Sequence, residues 1–285
     1  MTLPRAIHDD EVAAYRSDGA AVIRGVVPEP WIERMRRAVD RVLAEPGPAS
    51  VEYTPTGASG RYYGDFFVWL RDPDFRAFAT ESPLPALAAR LMSASTVHLF
   101  YDQLLVKEPG TREETPWHHD LPYWPLRGDA IVSIWVPFDP ASLETGAVRY
   151  IRGSHRWGRM FAPRAFGGQS GYADVYAQAG LEPLPDLEAE IDRHEVLAWT
   201  LEPGDVLVHH PLTLHHAPGN ASATTRRRGL ALRYVGEGTV YDARPGTFLD
   251  NPRLRATLPE IDARDGEPLH GPLFPRVWPR ECNVS

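Results

Sequence analysis

Short segments rich in β-branched and aromatic residues alternate with turns through most of this chain, and this pattern limits the folds that it can adopt. Such segments occupy residues 96–107, 130–138, 148–151, 195–201, 206–210 and 229–235. The 28 prolines and 23 glycines favour many turns over long helices. Roughly eight short strands separated by turns are typical of a jelly roll rather than of alternating strands and helices.

Helical patterns are concentrated near the start of the chain. Residues Asp9 to Ser17 have helical spacing, a second helix is predicted to begin at Pro28, and a short one runs from Pro83 to Ser93. The second helix carries an apolar stripe of Trp31, Met35, Ala38, Val39 and Val42. We therefore predict a mainly β protein with flanking N-terminal helices that pack on the outside of a sheet.

Domain organisation is predicted to be simple, because no internal repeat and no linker-like composition divides the sequence. Residues 1–285 are expected to form a single domain, with the core at about 95–240. Residues 156–193 have no sustained periodicity, and a long insertion of this kind is often a functional loop. We predict that this segment forms a lid over a site.

Composition excludes several classes of function. The formal net charge is −8, which disfavours binding to nucleic acid. The single cysteine, Cys282, cannot form an internal disulfide bond, and no apolar run resembles a signal peptide or a membrane span. We expect a cytoplasmic protein, a monomer or homodimer, that acts on a small molecule.

The segment from Thr115 to Pro125 contains the most informative pattern for function. In an extended chain, alternate side chains share a face, so His118 and Asp120 would point together while His119 points away. An imidazole and a carboxylate on one face supply two of the three ligands of a 2-His-1-carboxylate iron site. The pair alone fits a solvated or mutually hydrogen-bonded loop equally well, so a third ligand is needed.

The third ligand is expected in the histidine-rich region from Gly204 to Asn220. Three adjacent pairs account for six of the 11 histidines, and two of these pairs, 209/210 and 215/216, lie in this region. Downstream, three consecutive arginines at 226–228 precede the last apolar strand. A charged run is usually a solvated surface, but here one guanidinium could bind a carboxylate through two hydrogen bonds.

The motifs together resemble the phytanoyl-CoA dioxygenase family of Fe(II)- and 2-oxoglutarate-dependent oxygenases. The resemblance covers residues 8 to 240 in order. Its matching features are Asp18-Gly19 at a strand start, Trp117-His118-x-Asp120, the run from Gly153 to Gly158, Gly204-Asp205, His215, Asn220 and a following arginine. The resemblance implies a double-stranded β-helix, a cupin-like jelly roll, in which His118, Asp120 and His215 bind Fe(II).

The resemblance also implies an arginine of the last strand that anchors 2-oxoglutarate. Family spacing from the distal histidine selects Arg226, whereas alignment of the last strand backward from Gly229 selects Arg227, which we favour because strand register decides which side chains point inward. Trp124 matches an aromatic residue that borders the co-substrate pocket in some relatives, although a role as an apolar wall is equally consistent.

Two further residues, Gln103 and Lys107 of the long strand, are candidate co-substrate ligands. Two positions depart from the family pattern, where Ala217 replaces a common serine and Thr145 a common asparagine. Neither departure touches the predicted metal ligands.

The activity implied by the resemblance is oxidation of an unactivated C–H bond of a metabolite, with O2 and 2-oxoglutarate as co-substrates and succinate and CO2 as products. The intact Asp120 indicates hydroxylation or another oxygen-derived outcome, since related halogenases replace this carboxylate by a small residue. Desaturation, epoxidation and ring closure would use the same ligands. The alternative is a jelly-roll metal protein without oxidative chemistry, such as an isomerase or a small-ligand-binding module.

Overall fold

The computed structural model describes residues 3–162 and 180–279. Its helices are α1 (Asp9–Asp18), α2 (Glu29–Ala44), α3 (Pro73–Glu81), α4 (Leu84–Met92) and a short α5 (Pro252–Arg255). The strands in the first half are β1 (Ala20–Ile23), β2 (Ser50–Glu52), β3 (Tyr62–Phe66), β4 (Val97–Lys107), β5 (Thr115–His118), β6 (Leu126–Arg127) and β7 (Ile131–Pro137). Those in the second half are β8 (Arg149–Ile151), β9 (Val196–Ala198), β10 (Val206–His209), β11 (His215–Ala217), β12 (Arg227–Gly236), β13 (Val240–Tyr241) and β14 (Arg276–Trp278).

Two sheets face each other, as in a jelly roll. The larger sheet has the order β1-β10-β7-β12-β4-β3-β2, with β14 also paired to β4, and the smaller has the order β5-β11-β8-β9. Strands β6 and β13 form a separate two-stranded ribbon. The mainly β jelly roll with N-terminal helices is therefore confirmed.

Helices α1 to α4 cover the outer face of the larger sheet. The apolar stripe of α2 is buried as predicted, and it belongs to one hydrophobic cluster with Val132, Ile134, Leu230 and Leu232 of the central strands. Because side chains alternate along a strand, the neighbouring residues Trp135 and Ala231 point to the opposite face, toward the smaller sheet. The site described below lies between the two sheets.

Helix α3 is an element that the sequence patterns above did not predict. Asp72 caps it, because its side chain accepts hydrogen bonds from the backbone N–H groups of Asp74 (2.8 Å) and Phe75 (3.1 Å). Pro73 follows at the first helical position, where its missing N–H costs nothing. An aspartate followed by proline was the local signal that could have identified this helix.

The segment proposed as a lid is described only at its two ends, since residues 163–179 lie outside the described residues. Phe161, Leu184 and Leu187 pack with Trp117 and with Ile151 and Leu214. Trp117 alternates with His118 along β5, so these ends lie on the outer face of the smaller sheet, away from His118. A lid formed by residues 156–193 therefore stays a prediction that depends on its undescribed middle.

Among the described residues, no helix is long and apolar enough to cross a membrane.

Candidate metal centre

Three side chains of the kinds that bind iron converge between the sheets. His118 ends β5, Asp120 follows it by two residues, and His215 begins β11. Strands β5 and β11 are antiparallel neighbours with His118 opposite His215, and the two imidazole ring centroids are 4.1 Å apart. One potential ligand atom of each residue lies within 4.8 Å of those of the other two. The structure thus brings together the three predicted ligands.

The backbone at Asp120 is not extended, although the sequence-based prediction assumed an extended segment. Strand β5 ends at His118, and Asp120 has helical backbone angles (φ −77°, ψ −42°) at the start of a 3-10 turn over Leu121–Tyr123. The backbone N–H groups of Asp120 and Leu121 both donate to the carbonyl of Pro211, which fixes this turn against the loop before β11. Strand alternation therefore correctly predicted that His119 points elsewhere, but it does not explain the direction of Asp120.

Backbone carbonyls fix the orientation of the two histidines. His118 Nδ1 lies 2.7 Å from the carbonyl oxygen of Pro116, and His215 Nδ1 lies 2.9 Å from that of Thr213. A carbonyl can only accept, so each Nδ1 carries a hydrogen, and Nε2 is the ring atom left to face the other residues of the site. These Nε2 atoms face Asp120 Oδ1, at 3.6 Å from His118 and 3.8 Å from His215.

Asp120 is ionised although it is completely buried. Burial alone would raise its pKa, but the neighbouring His118, His209 and His215 and the charge of Arg233 hold the pKa well below its usual range. Burial, with His118 and His209 close by, conversely keeps the pKa of His215 well below its usual range. A buried carboxylate beside two imidazoles is a donor set that suits a divalent metal.

A group of residues that the sequence analysis missed holds the Asp120 carboxylate in place. Its Oδ2 accepts a hydrogen bond from Ser133 (3.1 Å) and lies 3.3 Å from His209 Nε2, while the Tyr123 hydroxyl donates to Oδ1. The signal for His209 was available, because it lies two residues after the inward-facing Leu207 on β10 and so shares its face.

Of the three consecutive arginines at 226–228, Arg227 is the one that lines the cavity. Its side chain is 2% exposed, Nη1 donates to the carbonyl of Leu105 at 2.9 Å, and its guanidinium lies 5.6 Å from the ring centre of Trp135. No hydrogen-bond acceptor among the described residues lies near its buried Nε. Burial lowers its pKa to about 10, so it remains a cation at neutral pH.

Arg226 does not reach this cavity. Its side chain is 40% exposed and forms ion pairs with Glu108 (2.8 Å) and Asp40 (3.2 Å) on the helical side of the larger sheet. The spacing counted from the distal histidine therefore pointed to the wrong side of β12. Strand register, which pairs Arg227 with Lys107 and Gly229 with Leu105, gave the inward residue.

The other three predicted co-substrate residues are placed differently from one another. Gln103 lines the cavity and accepts a hydrogen bond from Arg233 at 3.1 Å. Lys107 is buried, but its Nζ donates to the carbonyl oxygens of Ala217 (3.2 Å) and Pro218 (2.6 Å), and it is not among the cavity-lining residues that the structure describes.

Trp124 is also absent from the described lining of the cavity. It is fully buried, and its Nε1 donates to the hydroxyl of Tyr101 at 2.9 Å. It packs against Tyr101 in a hydrophobic cluster, and its place beside the co-substrate stays a prediction. The cavity itself is lined by Gln103, Leu105, Thr115, His118, Tyr123, Trp135, Val148, His209, His215, His216, Ala217, Arg227, Ala231 and Arg233.

The chain matches a family model over most of its length. The model of phytanoyl-CoA dioxygenase (PhyH) covers residues 15–229. Multifunctional dioxygenase prhA of Penicillium brasilianum is 26% identical over 246 residues, which are 81% of this chain and 74% of that protein. Peroxisomal phytanoyl-CoA dioxygenase of Homo sapiens is 22% identical over 255 residues, 83% of this chain and 71% of that protein.

Solved structures share the fold. The epimerase SnoN in complex with Fe3+, alpha ketoglutarate and nogalamycin RO superimposes with a TM-score of 0.74 at 24% identity, covering 94% of this chain and 98% of SnoN. EctD from S. alaskensis with 2-oxoglutarate and 5-hydroxyectoine gives a TM-score of 0.68 at 22% identity, covering 94% of this chain and 87% of EctD. At these identities the likeness establishes the architecture.

Proposed function

This chain belongs to the phytanoyl-CoA dioxygenase family, whose members are 2-oxoglutarate-dependent dioxygenases, and we propose that it oxidises an unactivated C–H bond of a small-molecule metabolite, most simply by hydroxylation. The observation that carries the proposal is the convergence of His118, Asp120 and His215 in a cavity that also contains the inward guanidinium of Arg227. Iron and 2-oxoglutarate, when bound, supply the activation of O2 and the removal of hydrogen from the C–H bond.

The residues present fit Fe(II). Both histidines direct Nε2 toward Asp120 Oδ1, and backbone carbonyl oxygens hold their Nδ1 atoms at 2.7 and 2.9 Å. Hydrogen bonds of this kind orient ligands and increase their basicity. A set of two imidazoles and one carboxylate leaves the remaining positions of an octahedral ion open for co-substrate and oxygen. We propose that His118, Asp120 and His215 bind the iron.

The residues also fit the dicarboxylate 2-oxoglutarate. Leaving its remote carboxylate buried without a partner would cost several kcal/mol, and Arg227 is a buried cation whose Nε has no acceptor among the described residues. A planar guanidinium can satisfy both carboxylate oxygens together, as lysine cannot. We propose that Arg227 binds this carboxylate, with Trp135 and Leu105 forming the walls beside it.

The remaining contribution of the protein is to position one C–H bond and to exclude water from it. Partly buried Tyr123 packs against His118 and buried Tyr150 against His215, and buried Trp135 lines the same cavity. Such a setting places the reacting groups close together and limits hydrolysis or loss of reactive species. SnoN is an epimerase and EctD was solved with 5-hydroxyectoine, so the product on this scaffold depends on how the substrate is held.

Release of succinate tests this proposal. We expect the purified protein to convert 2-oxoglutarate to succinate during aerobic incubation with Fe(II), and to do so faster when a correct substrate is present among candidate metabolites. His118→Ala should abolish the reaction, whereas His119→Ala, a change at the neighbouring histidine that hydrogen-bonds Phe161, should retain it. Metal binding without any consumption of 2-oxoglutarate would instead support a non-oxidative metal-binding jelly roll.

A further inference from the structure

The short turn that carries Asp120 is held at both of its ends. At its start, the backbone N–H groups of Asp120 and Leu121 donate to the carbonyl of Pro211 at 2.8 and 3.1 Å. At its end, the chain leaves the helical conformation at Trp124, and the following Pro125 has no N–H that could continue the turn. Carbonyl groups at the end of a helical turn then need donors from elsewhere in the protein.

Arg244, in the C-terminal part of the chain, supplies these donors. Its Nη2 donates to the carbonyl oxygens of Leu121 and Trp124, both at 2.7 Å. Basic side chains often satisfy carbonyl groups at helix ends in this way. Leu121 begins the turn and Trp124 follows it, and Tyr123 lies between them. A single guanidinium therefore fixes the backbone from which the Tyr123 side chain projects.

The guanidinium of Arg244 is itself held in place. Its Nη1 donates to Asp242 Oδ2, and the two residues form a partly buried ion pair. The backbone N–H of Asp242 donates to the carbonyl of Pro125 at 3.0 Å. Strand β6, which follows the turn, is paired with β13, which precedes Arg244. The segment that carries Arg244 is thus anchored beside the turn.

Tyr123 connects this turn to the proposed metal ligands. Its hydroxyl donates to Asp120 Oδ1, the oxygen that faces the Nε2 atoms of His118 and His215. Its ring also packs against the His118 imidazole, with 6.2 Å between the ring centres. The other carboxylate oxygen, Oδ2, is held by separate hydrogen bonds from the larger sheet. The hydrogen bond to Oδ1 therefore depends on the position of Tyr123.

We propose that Arg244 is a positioning residue for the metal centre, because it holds the turn in the conformation that keeps the Tyr123 hydroxyl on Asp120 Oδ1. The inference rests on the proposed function, since it takes Asp120 as a metal ligand. The match to the family model ends at residue 229, so this role falls in a part of the chain that the match does not cover.

Binding of Co(II) to the full-length protein, titrated calorimetrically, tests this role. Arg244→Met keeps the length of the side chain but removes every donor. We expect it to lower the affinity for Co(II) by about tenfold, within the range typical of lost support for metal ligands. Arg264→Met, a change at an exposed arginine of the same C-terminal segment, should bind Co(II) like the wild type.

A double-mutant cycle with Tyr123→Phe shows whether Arg244 acts through the tyrosine hydroxyl. Tyr123→Phe removes the hydrogen bond to Asp120 Oδ1 and should also lower the affinity for Co(II) by about tenfold. The double variant should bind less than about twofold more weakly than either single variant, because both changes remove the same contact. Independent effects would instead multiply to about a hundredfold.

Thermal melting of each variant separates this role from a purely structural one. A change that only lowers stability leaves the affinity of the folded protein unchanged when binding is measured well below the melting temperature. If Arg244→Met does not fold, Arg244→Lys takes its place in the cycle. Lysine keeps the charge beside Asp242 but loses the planar set of donors, so we expect a loss of about threefold in affinity that is again coupled to Tyr123→Phe.

Two results would overturn the proposal. One is wild-type affinity for Co(II) in the folded Arg244 variant, and the other is multiplication of the two effects in the double variant. Either result, with Co(II) still bound by the wild type, refutes only the role of Arg244. If the wild-type protein itself does not bind Co(II), the proposed function fails, and this inference fails with it.

Discussion

His209 Nε2 lies 3.3 Å from Asp120 Oδ2, the carboxylate oxygen other than the one that faces His118 and His215. With Ser133, which donates to the same oxygen, His209 turns the carboxylate so that Oδ1 is presented beside the two imidazoles. A residue that does not bind the metal can therefore decide how well the metal is bound.

Replacing His209 should weaken metal binding without unfolding the protein. We expect His209→Ala to lower the affinity for Fe(II) or Co(II) by about 10–100-fold, the range typical of lost hydrogen bonds to metal ligands. Titration of the metal by calorimetry would measure this change. His270→Ala, at an exposed histidine, is the matched control. Unchanged affinity in His209→Ala would show that Ser133 and Tyr123 suffice to orient Asp120.

Bound metal should stabilise the fold through the three proposed ligands. A ligand present at 100 times its dissociation constant stabilises the folded state by about 2.7 kcal/mol. Added Mn(II) should therefore raise the melting temperature of the wild type but not of His118→Ala or His215→Ala. His216→Ala should respond like the wild type, because His216 interacts with Glu114 and Arg149 instead. A shift lost in His216→Ala and kept in His215→Ala would reverse the assignment.

The two candidate arginines should differ in their effect on co-substrate use. Arg227→Lys should raise the KM for 2-oxoglutarate by about tenfold or more, since one point charge replaces two parallel hydrogen bonds. Arg226→Lys should change it little, because that side chain is paired with Glu108 and Asp40. Succinate formation at varied 2-oxoglutarate concentration measures both values. A larger effect at Arg226 would contradict the register-based assignment.

Asp102 should make stability depend on pH. Burial, with the nearby charge of Asp65, raises the pKa of Asp102 to about 8, whereas an unfolded chain has a value of about 3.9. Between these values the folded state holds a proton that the unfolded state has lost, so stability is full below about pH 4 and decreases as pH rises toward 8. Denaturant unfolding at several pH values should show that Asp102→Asn removes a decrease on the order of a few kcal/mol.

The surface variant Asp262→Asn is the control for this pH dependence, because that residue is exposed. An identical pH profile in Asp102→Asn and the wild type would show that Asp102 stays ionised in the folded protein.

Strand alternation explains which parts of the site could be predicted from the sequence. It placed His119 away from the metal ligands and selected Arg227 over Arg226, and the β-rich pattern predicted the jelly roll. The same rule, applied further along β12 and β10, would have found Arg233 and His209.

The positions of three side chains could not be predicted from strand alternation. The position of Asp120 depends on a turn fixed by Pro211, a contact between segments about 90 residues apart in the chain. Lys107 lies on the same face of β4 as Gln103 and Leu105, yet its flexible side chain bends to the carbonyls of Ala217 and Pro218, which no local pattern reveals. Trp124 was recognised as aromatic, but its burial behind Tyr101 depends on the packing of several strands.

The central position of β12 has a consequence for changes in the length of the loop that precedes it. The register of β12 is set from both sides, by its pairing with β4 and with β7. The loop from Pro218 to Arg226 is held separately by Asn220, whose Nδ2 donates to the backbone carbonyls of Lys107 (3.0 Å) and Thr225 (2.7 Å). Residues can therefore be gained or lost in that loop without turning Arg227 away from the cavity. We therefore expect the number of residues between His215 and Arg227 to tolerate change, provided that Arg227 keeps its pairing with Lys107 of β4.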